Sequence, residues 1–161
     1  RHRLVPERVD LRTGIEASVA EIAERAQRHG IQVTIDVPDA LALIVDRTAL
    51  ESILRNLLDN SVKACGAGPG KRVEITARRN GKIHLTVRDD GLGFPPEEAA
   101  MMFEKFYRLG DELRRRTPGT GLGLYLVKRL AEMSGATVGA TSLGPGRGAA
   151  VTVTWPEGAP Q

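Results

Sequence analysis

The chain has 161 residues, of which 41% are hydrophobic and 27% charged, with a net charge of +3. These values are typical of one globular domain, and no apolar run approaches the roughly 20 residues that span a membrane. Aromatic residues make up only 4% and are not interleaved with the basic ones, which disfavours a platform for single-stranded nucleic acid. The single cysteine, Cys65, excludes an internal disulfide and is typical of a reducing compartment.

The N-terminal half is predicted to alternate short strands with two amphipathic helices. A short strand is expected at 8–11, and Gly30 is expected to end the helix that follows it. Alternating apolar residues predict strands at 31–37 and 41–45, and Asp46 is predicted to cap the second helix. The predicted apolar stripes are Ile15, Val19, Ile22, Ala23 and Ala26 on the first helix and Leu50, Ile53, Leu54, Leu57, Leu58 and Val62 on the second.

The C-terminal half is predicted to hold four strands, one helix and a long irregular stretch. Asn80-Gly81 is the strongest hairpin signal in the chain. Residues 91–121 lack a clear period, and irregular stretches of that length are functional lids or disordered segments. The predicted elements are strands at 72–79 and 82–90, a helix at 121–134 and strands at 136–142 and 148–156. This order predicts an antiparallel or mixed sheet with helices on one face.

A polar strip runs along the second predicted helix, away from its leucines. Asn56, Asn60 and Lys63 are spaced i, i+4 and i+7, so that they share one face. Such a strip can line a cleft, where an Asn oxygen is a suitable hard ligand for Mg²⁺. A solvated helix face with the same composition is the alternative.

The segment "VRDDGLGF" ends a predicted strand with acids and turns on Gly91 and Gly93. One carboxylate at a strand end, beside backbone brought close by glycine, could accept hydrogen bonds from an exocyclic amine such as that of adenine. A plain Asp-Gly turn is the alternative.

Three evenly spaced glycines in "PGTGLGL" (118–124) lie at the start of the last predicted helix. Gly119, Gly121 and Gly123 do not fit the G-x-G-x-x-G spacing of a dinucleotide fold. The only candidate for a Walker loop, "GAGPGKR", has Arg72 where a hydroxyl is required, and neither HRD nor DFG occurs. A glycine-lined turn at a helix start can bind phosphate, and a flexible surface loop is the alternative.

The order and spacing of these motifs, with "FEKFYR" between the last two, closely resemble the N, G1, F and G2 boxes of sensor histidine kinases. These kinases belong to a superfamily with gyrase, heat-shock chaperone and mismatch-repair ATPases. The resemblance runs from residue 6 to residue 156 and includes "GPGRGAAVTVTWP" as the last glycine motif and strand. It implies an α+β fold of one domain over 1–161, namely a two-layer α/β sandwich with a mixed sheet covered on one face by helices and a mobile ATP lid (the Bergerat fold).

The resemblance also implies a role for each residue of the polar strip and the first glycine turn. Asn60 matches the ligand of Mg²⁺, and Lys63 would touch phosphate. Asn56 matches the position that orients or polarises the attacking group, where the ATPases carry Glu; an amide is a weak base, which favours transfer over hydrolysis. Asp89 would bind the adenine amino group, and Gly91 and Gly93 would let the base approach.

The remaining roles fall on the lid and its two ends. Phe103, Phe106 and Tyr107 match the F box, which anchors the lid, and Tyr107 is also assigned to the ATP-binding residues. Arg108 is a candidate catalytic residue at the γ-phosphate. Residues 107–118 would form the lid. The phosphate cradle is assigned to Gly119, Thr120, Gly121, Leu122, Gly123 and Leu124.

The implied function is to bind ATP and Mg²⁺ and, in a parent protein, to transfer the γ-phosphoryl to a histidine on a separate dimerisation domain. The chain begins with Arg1 and lacks the acceptor signature, so we expect a catalytic fragment without that domain. The expected partners are the dimerisation and phosphoacceptor helices and, indirectly, a response regulator, without nucleic acid or direct membrane contact. The fragment is expected to be a cytoplasmic monomer, and the parent a homodimer that could be anchored in a membrane.

Three alternatives stay open: an anti-sigma-type serine kinase that regulates a transcription factor, a gyrase-type hydrolysing ATPase and a nucleotide-binding pseudokinase. "FEKFYR" disfavours the first, Asn56 in place of Glu the second, and the intact boxes the third.

Overall fold

The order of helices and strands agrees with the one predicted. The structure is a computed structural model, which describes residues 3–68, 70–105, 107 and 122–156. Element ends differ from the predicted ones by one or two residues, and the predicted start of the last helix, residue 121, lies outside the described residues. The elements are β1 (Pro6–Asp10), α1 (Leu11–Arg28), β2 (Gln32–Asp36), β3 (Ala42–Asp46), α2 (Arg47–Ala67), β4 (Arg72–Arg79), β5 (Lys82–Asp89), a 3₁₀ helix (Pro96–Phe103), α3 (Gly123–Met133), β6 (Thr137–Thr141) and β7 (Ala149–Pro156).

Five strands form one mixed sheet in the order β2-β4-β5-β7-β6. Strands β2 and β4 are parallel, and all other neighbours in this sheet are antiparallel. β5 is the central strand, and its last residue, Asp89, is paired with Val73 of β4 and Ala149 of β7. β1 and β3 form a separate antiparallel pair. The predicted mixed sheet is therefore confirmed.

One face of the sheet is apolar and carries the helices. On the other face, Glu74 and Arg88 are exposed to solvent. Each large side chain removed from water on the apolar face contributes roughly 1.5–3 kcal/mol of transfer free energy, so this face fixes the two-layer arrangement. The buried apolar side chains that alternate along the three central strands are Val73, Ile75, Ala77, Ile83, Leu85, Val87, Val151, Val153 and Trp155.

Aspartate caps define where the two long helices begin. The Asp46 carboxylate accepts the amide N–H of Ala49 at 2.8 Å, as predicted, and also that of Val5 at 2.8 Å. Asp10 caps α1 by accepting the Thr13 amide at 3.0 Å, so β1 ends one residue before the predicted end. No helix in the described part of the chain combines the length and apolar character that crossing a bilayer requires.

The apolar stripe of α1 is rotated from the predicted one. Ala23 is exposed and Val19 only half-buried, whereas Leu11 and Ser18 face the core. The helix begins at Leu11, after the Asp10 cap, and its buried residues follow at spacings of three or four, so that they share one face; they are Leu11, Ile15, Ser18, Ile22 and Ala26. Ile15, Ile22 and Ala26 are buried as predicted.

A cavity of about 180 Å³ lies at the end of the sheet opposite Asp89. It is lined by Ile83, Pro156 and Arg79, among others. Ile83 is near the start of β5 and Asp89 is its last residue, so roughly 20 Å of extended strand separates them. This cavity is therefore not part of the predicted nucleotide site.

Candidate functional site

The carboxylate of Asp89 lies at the inner end of the central strand. Asp89 continues the inward alternation of Leu85 and Val87, and only 6% of it is exposed. Its Oδ1 accepts the Gly91 amide N–H at 2.9 Å, and Ala149 of β7 is its partner on the neighbouring strand. Removal from water outweighs the stabilising effect of the surrounding donors and raises the pKa of Asp89 from 3.8 to about 6.

The neighbouring Asp90 is a structural residue. Its side chain faces away from the core, and its Oδ1 accepts the backbone amides of Lys71 and Arg72, each at 2.8 Å. These bonds attach the end of β5 to the start of β4. Of the two acids in "VRDD", only Asp89 is therefore buried at the inner edge, in agreement with the residue that the sequence analysis selected.

Gly91 and Gly93 have a different role from the one expected, since protein backbone occupies the space beside them. A Cβ on Gly91 would lie 2.7 Å from the backbone of Ala64 and Cys65 in α2. Gly93 has φ +66°, and a Cβ there would strike the carbonyl oxygen of Gly144. The two glycines thus let this loop pack between α2 and a second glycine turn, which fixes the surroundings of Asp89.

That second turn, residues 142–148, is hydrogen-bonded to the loop after Asp89. The amide of Gly146 donates to Leu92 O at 2.6 Å, and the amide of Gly148 donates to Gly91 O at 3.1 Å. The Ser142 hydroxyl oxygen accepts the Phe94 amide at 3.1 Å, and the hydroxyl donates to Gly148 O at 2.6 Å. The sequence predicted a glycine motif here, but the bonds of Ser142 were not predicted, because serine is a common residue in turns of any kind.

The polar strip on α2 is half-buried at all three positions. The Nδ2 of Asn56 donates to Ser52 O at 2.8 Å, and its Oδ1 faces the first residue of α3, Gly123. No hydrogen bond of the Asn60 amide is found within the described part of the chain. The structure therefore brings Asn56 to the start of α3, and Asn60 lies one turn further along the same half-buried strip.

Lys63, expected at phosphate, is ion-paired within the protein. Its Nζ lies 3.0 Å from Asp59 Oδ2, and Asp59 Oδ1 lies 2.8 Å from Nη1 of Arg25 on α1. All three side chains are about one-third exposed. Contact with phosphate would require Lys63 to leave this network, which the sequence spacing alone did not reveal.

The aromatic segment before the lid is anchored to the protein. Phe103 is buried in the core, and the Tyr107 hydroxyl hydrogen-bonds to the Glu98 carboxylate. The Lys105 ammonium lies 5.7 Å from the centre of the Tyr125 ring of α3, a cation–π contact. These contacts hold the two described aromatic residues of the F box against the protein, and their role in anchoring a lid stays a prediction.

Several predicted site residues either lie outside the described part of the chain or can offer a ligand only their backbone. Leu122 and Gly123 are half-buried at the start of α3, and the Leu124 side chain is buried in the core, so only its backbone can face a ligand. The predicted residues outside the described part are Phe106, Arg108, Gly119, Thr120 and Gly121, together with the lid beyond Tyr107.

The donor set fits Mg²⁺ held jointly with a nucleotide. Among the described residues, no three His, Cys, Asp or Glu side chains cluster as a metal site would require. Mg²⁺ commonly takes one or two protein oxygens and completes its shell with phosphate and water. The Asn60 amide oxygen suits that arrangement.

Comparison with known proteins agrees with this geometry. Residues 45–159 match the family model described as "Histidine kinase-, DNA gyrase B-, and HSP90-like ATPase". Among curated relatives, the chain is 38% identical to the sensor histidine kinase YkoH of Bacillus subtilis over 120 residues, which are 74% of this chain and 25% of YkoH. It is 35% identical to the sensor-like histidine kinase SenX3 of Mycobacterium tuberculosis over 150 residues, 92% of this chain and 36% of SenX3.

Solved structures give the same relationship. The mycobacterial sensor histidine kinase MprB superposes with a TM-score of 0.79 at 29% identity, covering 94% of this chain and 97% of that one. Full-length ShkA in complex with AMPPNP superposes with a TM-score of 0.81 at 30% identity, covering 96% of this chain and 32% of ShkA. The chain spans only about a quarter to a third of the two curated relatives. It belongs to the family of histidine kinase-, DNA gyrase B- and HSP90-like ATPases, as a domain of the type found in sensor histidine kinases.

Proposed function

We propose that this domain binds Mg·ATP and that its parent protein transfers the γ-phosphoryl group to a histidine on a separate dimerisation domain. The observation that carries the proposal is the buried Asp89 carboxylate, which is held at the end of the central strand beside a fixed glycine loop. An ionised carboxylate there is a hydrogen-bond acceptor, as recognition of an exocyclic amine requires. Family membership supports ATP as the ligand of the domain.

Each of the three candidate side chains has a role that follows from its position on α2 or β5. Asp89 binds the base, Asn60 supplies an oxygen to Mg²⁺, and Asn56 lies where the start of α3 meets α2. When bound, Mg²⁺ would neutralise charge on the phosphate oxygens. Because the Asn56 amide is not a strong base, it would orient the acceptor rather than activate water. Transfer breaks the bond between the γ-phosphorus and the ADP oxygen and forms a phosphorus–nitrogen bond to the acceptor imidazole.

The lid and the partners complete the proposal. We place the lid at 107–118, with Arg108 at the γ-phosphate and the glycines up to Gly123 around the triphosphate. The dimerisation and phosphoacceptor helices would be the direct partners, in a homodimeric parent, and a response regulator would receive the phosphoryl group. Because the domain uses ATP, we place it in the cytoplasm.

Nucleotide binding tests the proposal directly. A fluorescent ATP analogue should bind the wild-type domain more tightly with Mg²⁺ than with EDTA. The Asn60→Ala variant should lose most of that Mg²⁺ dependence, whereas Gln27→Ala, which removes an exposed amide on α1, should behave as wild type. A wild-type domain without measurable nucleotide affinity would contradict the proposal.

Transfer is tested with a separately supplied acceptor-helix protein from a sensor histidine kinase. Incubation with labelled ATP should label the acceptor in an acid-labile form, as phosphohistidine is. Acid-stable label on a serine of a protein partner would instead favour the serine-kinase alternative. Nucleotide binding without any transfer to an acceptor would favour the pseudokinase.

A further inference from the structure

The cavity of about 180 Å³ lies where the two sheets of the domain meet. One wall belongs to the β1–β3 pair, and the opposite wall belongs to the ends of β4, β5 and β7. Within the described residues the two sheets share no strand, so side chains rather than ladder hydrogen bonds line this gap. The lining residues include Arg8, Ala42 and Ile44 on the first wall and Arg79, Ile83 and Pro156 on the second.

The apolar part of the cavity has the size of one small ring. Ile83 is buried, and Ala42 and Ile44 are half-buried beside the gap. An aliphatic cavity of roughly 150 Å³ can hold benzene, whereas pockets for drug-sized ligands begin at about 300 Å³. At about 180 Å³ the cavity therefore fits a compact apolar group and is too small for a nucleotide.

Two guanidinium groups and no carboxylate line the cavity. Arg8 and Arg79 are both exposed to solvent. Arg8 lies opposite Ile44 in the β1–β3 pair, so a positive charge and an apolar surface are neighbours on one face. The acid next to Arg8 in sequence, Glu7, is paired with Arg47 at 3.3 Å. The lining is therefore basic, and a planar guanidinium group suits a carboxylate.

The turn before β3 has a conformation that alanine rarely adopts. Ala40 lines the cavity and has φ +61°, and it is the one non-glycine residue with positive φ in the described part of the chain. The next residue is fixed to the start of α1, because the Leu11 amide donates to Leu41 O at 2.9 Å. Strained positions persist where the surrounding structure fixes them, and they occur often at ligand sites. This part of the cavity wall is therefore already formed without a ligand.

We propose that the cavity is a second ligand site, which binds a small carboxylate with a compact apolar body. The apolar body fills the gap between the β1–β3 pair and β5, and the carboxylate meets the guanidinium groups of Arg8 and Arg79. A ligand in this position contacts both sheets. Roughly 20 Å of strand separates the cavity from Asp89, so this inference does not depend on the proposed function.

Trp155 provides the measurement. It is the only tryptophan of the chain, is fully buried and is paired with the lining residue Ile83. Titration of the wild-type domain with cyclohexanecarboxylate should change its fluorescence saturably, with a dissociation constant on the order of 1 mM, and should raise the thermal midpoint. Cyclohexylmethanol lacks the charge and acetate lacks the apolar body, so each should bind at least about tenfold more weakly.

Three variants locate the site. Arg8→Gln should weaken binding of cyclohexanecarboxylate about tenfold, because it removes a charged donor at an exposed position. Ala42→Leu should abolish binding, because the larger side chain fills the cavity; circular dichroism checks that this variant folds. Arg28→Gln makes the same charge change as Arg8→Gln at an exposed position on α1 and should bind as wild type.

Saturating Mg·ATP should not displace cyclohexanecarboxylate from the wild-type domain, since the cavity is distant from Asp89. Displacement by Mg·ATP would overturn the inference, because the carboxylate would then occupy the nucleotide site. The absence of a saturable response up to about 20 mM would also overturn it. So would equal weakening by Arg8→Gln and Arg28→Gln, or binding of cyclohexylmethanol as tight as that of the carboxylate.

Discussion

The Cβ position of Gly123 would lie 3.3 Å from Oδ1 of Asn56, so the first residue of α3 and the amide on α2 are in contact. The two residues are 67 positions apart and were predicted to serve different ends of the site, phosphate and attacking group. Their contact means that the conformation of the Asn56 side chain depends on how α3 begins. The other side of that side chain is held by the Ser52 carbonyl.

Gly123→Ala should therefore separate catalysis from folding. The added methyl group must displace the flexible Asn56 side chain by a few tenths of an ångström, while alanine favours the helix by up to about 1 kcal/mol, so the free energy of unfolding should change little. Phosphoryl transfer to an acceptor protein should fall more than ATP affinity does. Gly139→Ala in β6, where the space is open, is the control. Unchanged transfer in Gly123→Ala would show that the position of Asn56 does not matter.

Asp89→Asn should stabilise the domain while it weakens ATP binding. Because the folded-state pKa of about 6 is higher than the ordinary 3.8, the folded domain keeps a proton that the unfolded chain has released between these values. The free energy of unfolding from this group therefore falls as pH rises from about 4 to about 6, and stays low above that range.

An asparagine carries no such charge, so without nucleotide we expect Asp89→Asn to exceed the wild type by about 2 kcal/mol at pH 8 and to equal it near pH 4. Urea unfolding at the two pH values measures this difference. Asp39→Asn, at an almost fully exposed side chain, should gain nothing at either pH. A gain of the same size at both pH values would show that burial of the charge is not its cause.

Gly91→Ala should disrupt the loop after Asp89. The new Cβ would overlap the backbone of α2 at 2.7 Å, and rigid backbone cannot yield as a side chain can, so we expect a loss of about 3 kcal/mol in unfolding free energy together with loss of nucleotide binding. Gly66→Ala, in the last turn of α2, meets no atom within 4 Å and should be neutral or stabilising by up to about 1 kcal/mol. Thermal unfolding of both variants is the measurement. Destabilisation of Gly91→Ala alone would show that overlap with α2 is the cause, and destabilisation of both would show that it is not.

Asp59→Asn should change nucleotide affinity more than stability. The ion pairs of Asp59 are about one-third exposed, so their loss should cost no more than about 1 kcal/mol. If Lys63 reaches the triphosphate, release from Asp59 should strengthen ATP binding a few-fold, and higher salt should diminish the gain. Glu51→Gln makes the same charge change at an exposed position two turns earlier on α2. Weaker ATP binding in Asp59→Asn would mean that Asp59 orients Lys63 instead of competing with phosphate.

Periodicity and turn chemistry were sufficient to predict the elements of this fold. The Asn80-Gly81 turn and its flanking alternation predicted β4 and β5 to within one residue, and the Asp46 cap gave the start of α2. The stripe of α1 was predicted only in part, because residue 11 was assigned to the preceding strand and Ser18 is polar and gives no apolar signal. Local patterns thus determine the elements, whereas the edges of a buried face depend on neighbours that are distant in sequence.

The candidate site was predicted in outline but not in its supporting contacts. Asp89 could be recognised because it continues the alternation of a strand, and the strip on α2 because it follows helical spacing. The ion pair of Asp59 with Arg25 and the close approach of α2 to Gly91, which leaves no room for a side chain, join residues that are distant in sequence. Such contacts have no period, so a single sequence does not reveal them.

The bonds that hold the loop after Asp89 to the turn at 142–148 have a consequence for biosynthesis. A nascent chain that ends before residue 142 already contains every residue assigned here to nucleotide binding, yet it lacks the turn and the strand β7 that flank Asp89 on one side. Until β7 is added, β5 is an edge strand, and Asp89 has a neighbouring strand on one side only. Base recognition at Asp89 would therefore require residues 142–156 to have been synthesised, and a nascent chain that stops before them would lack it.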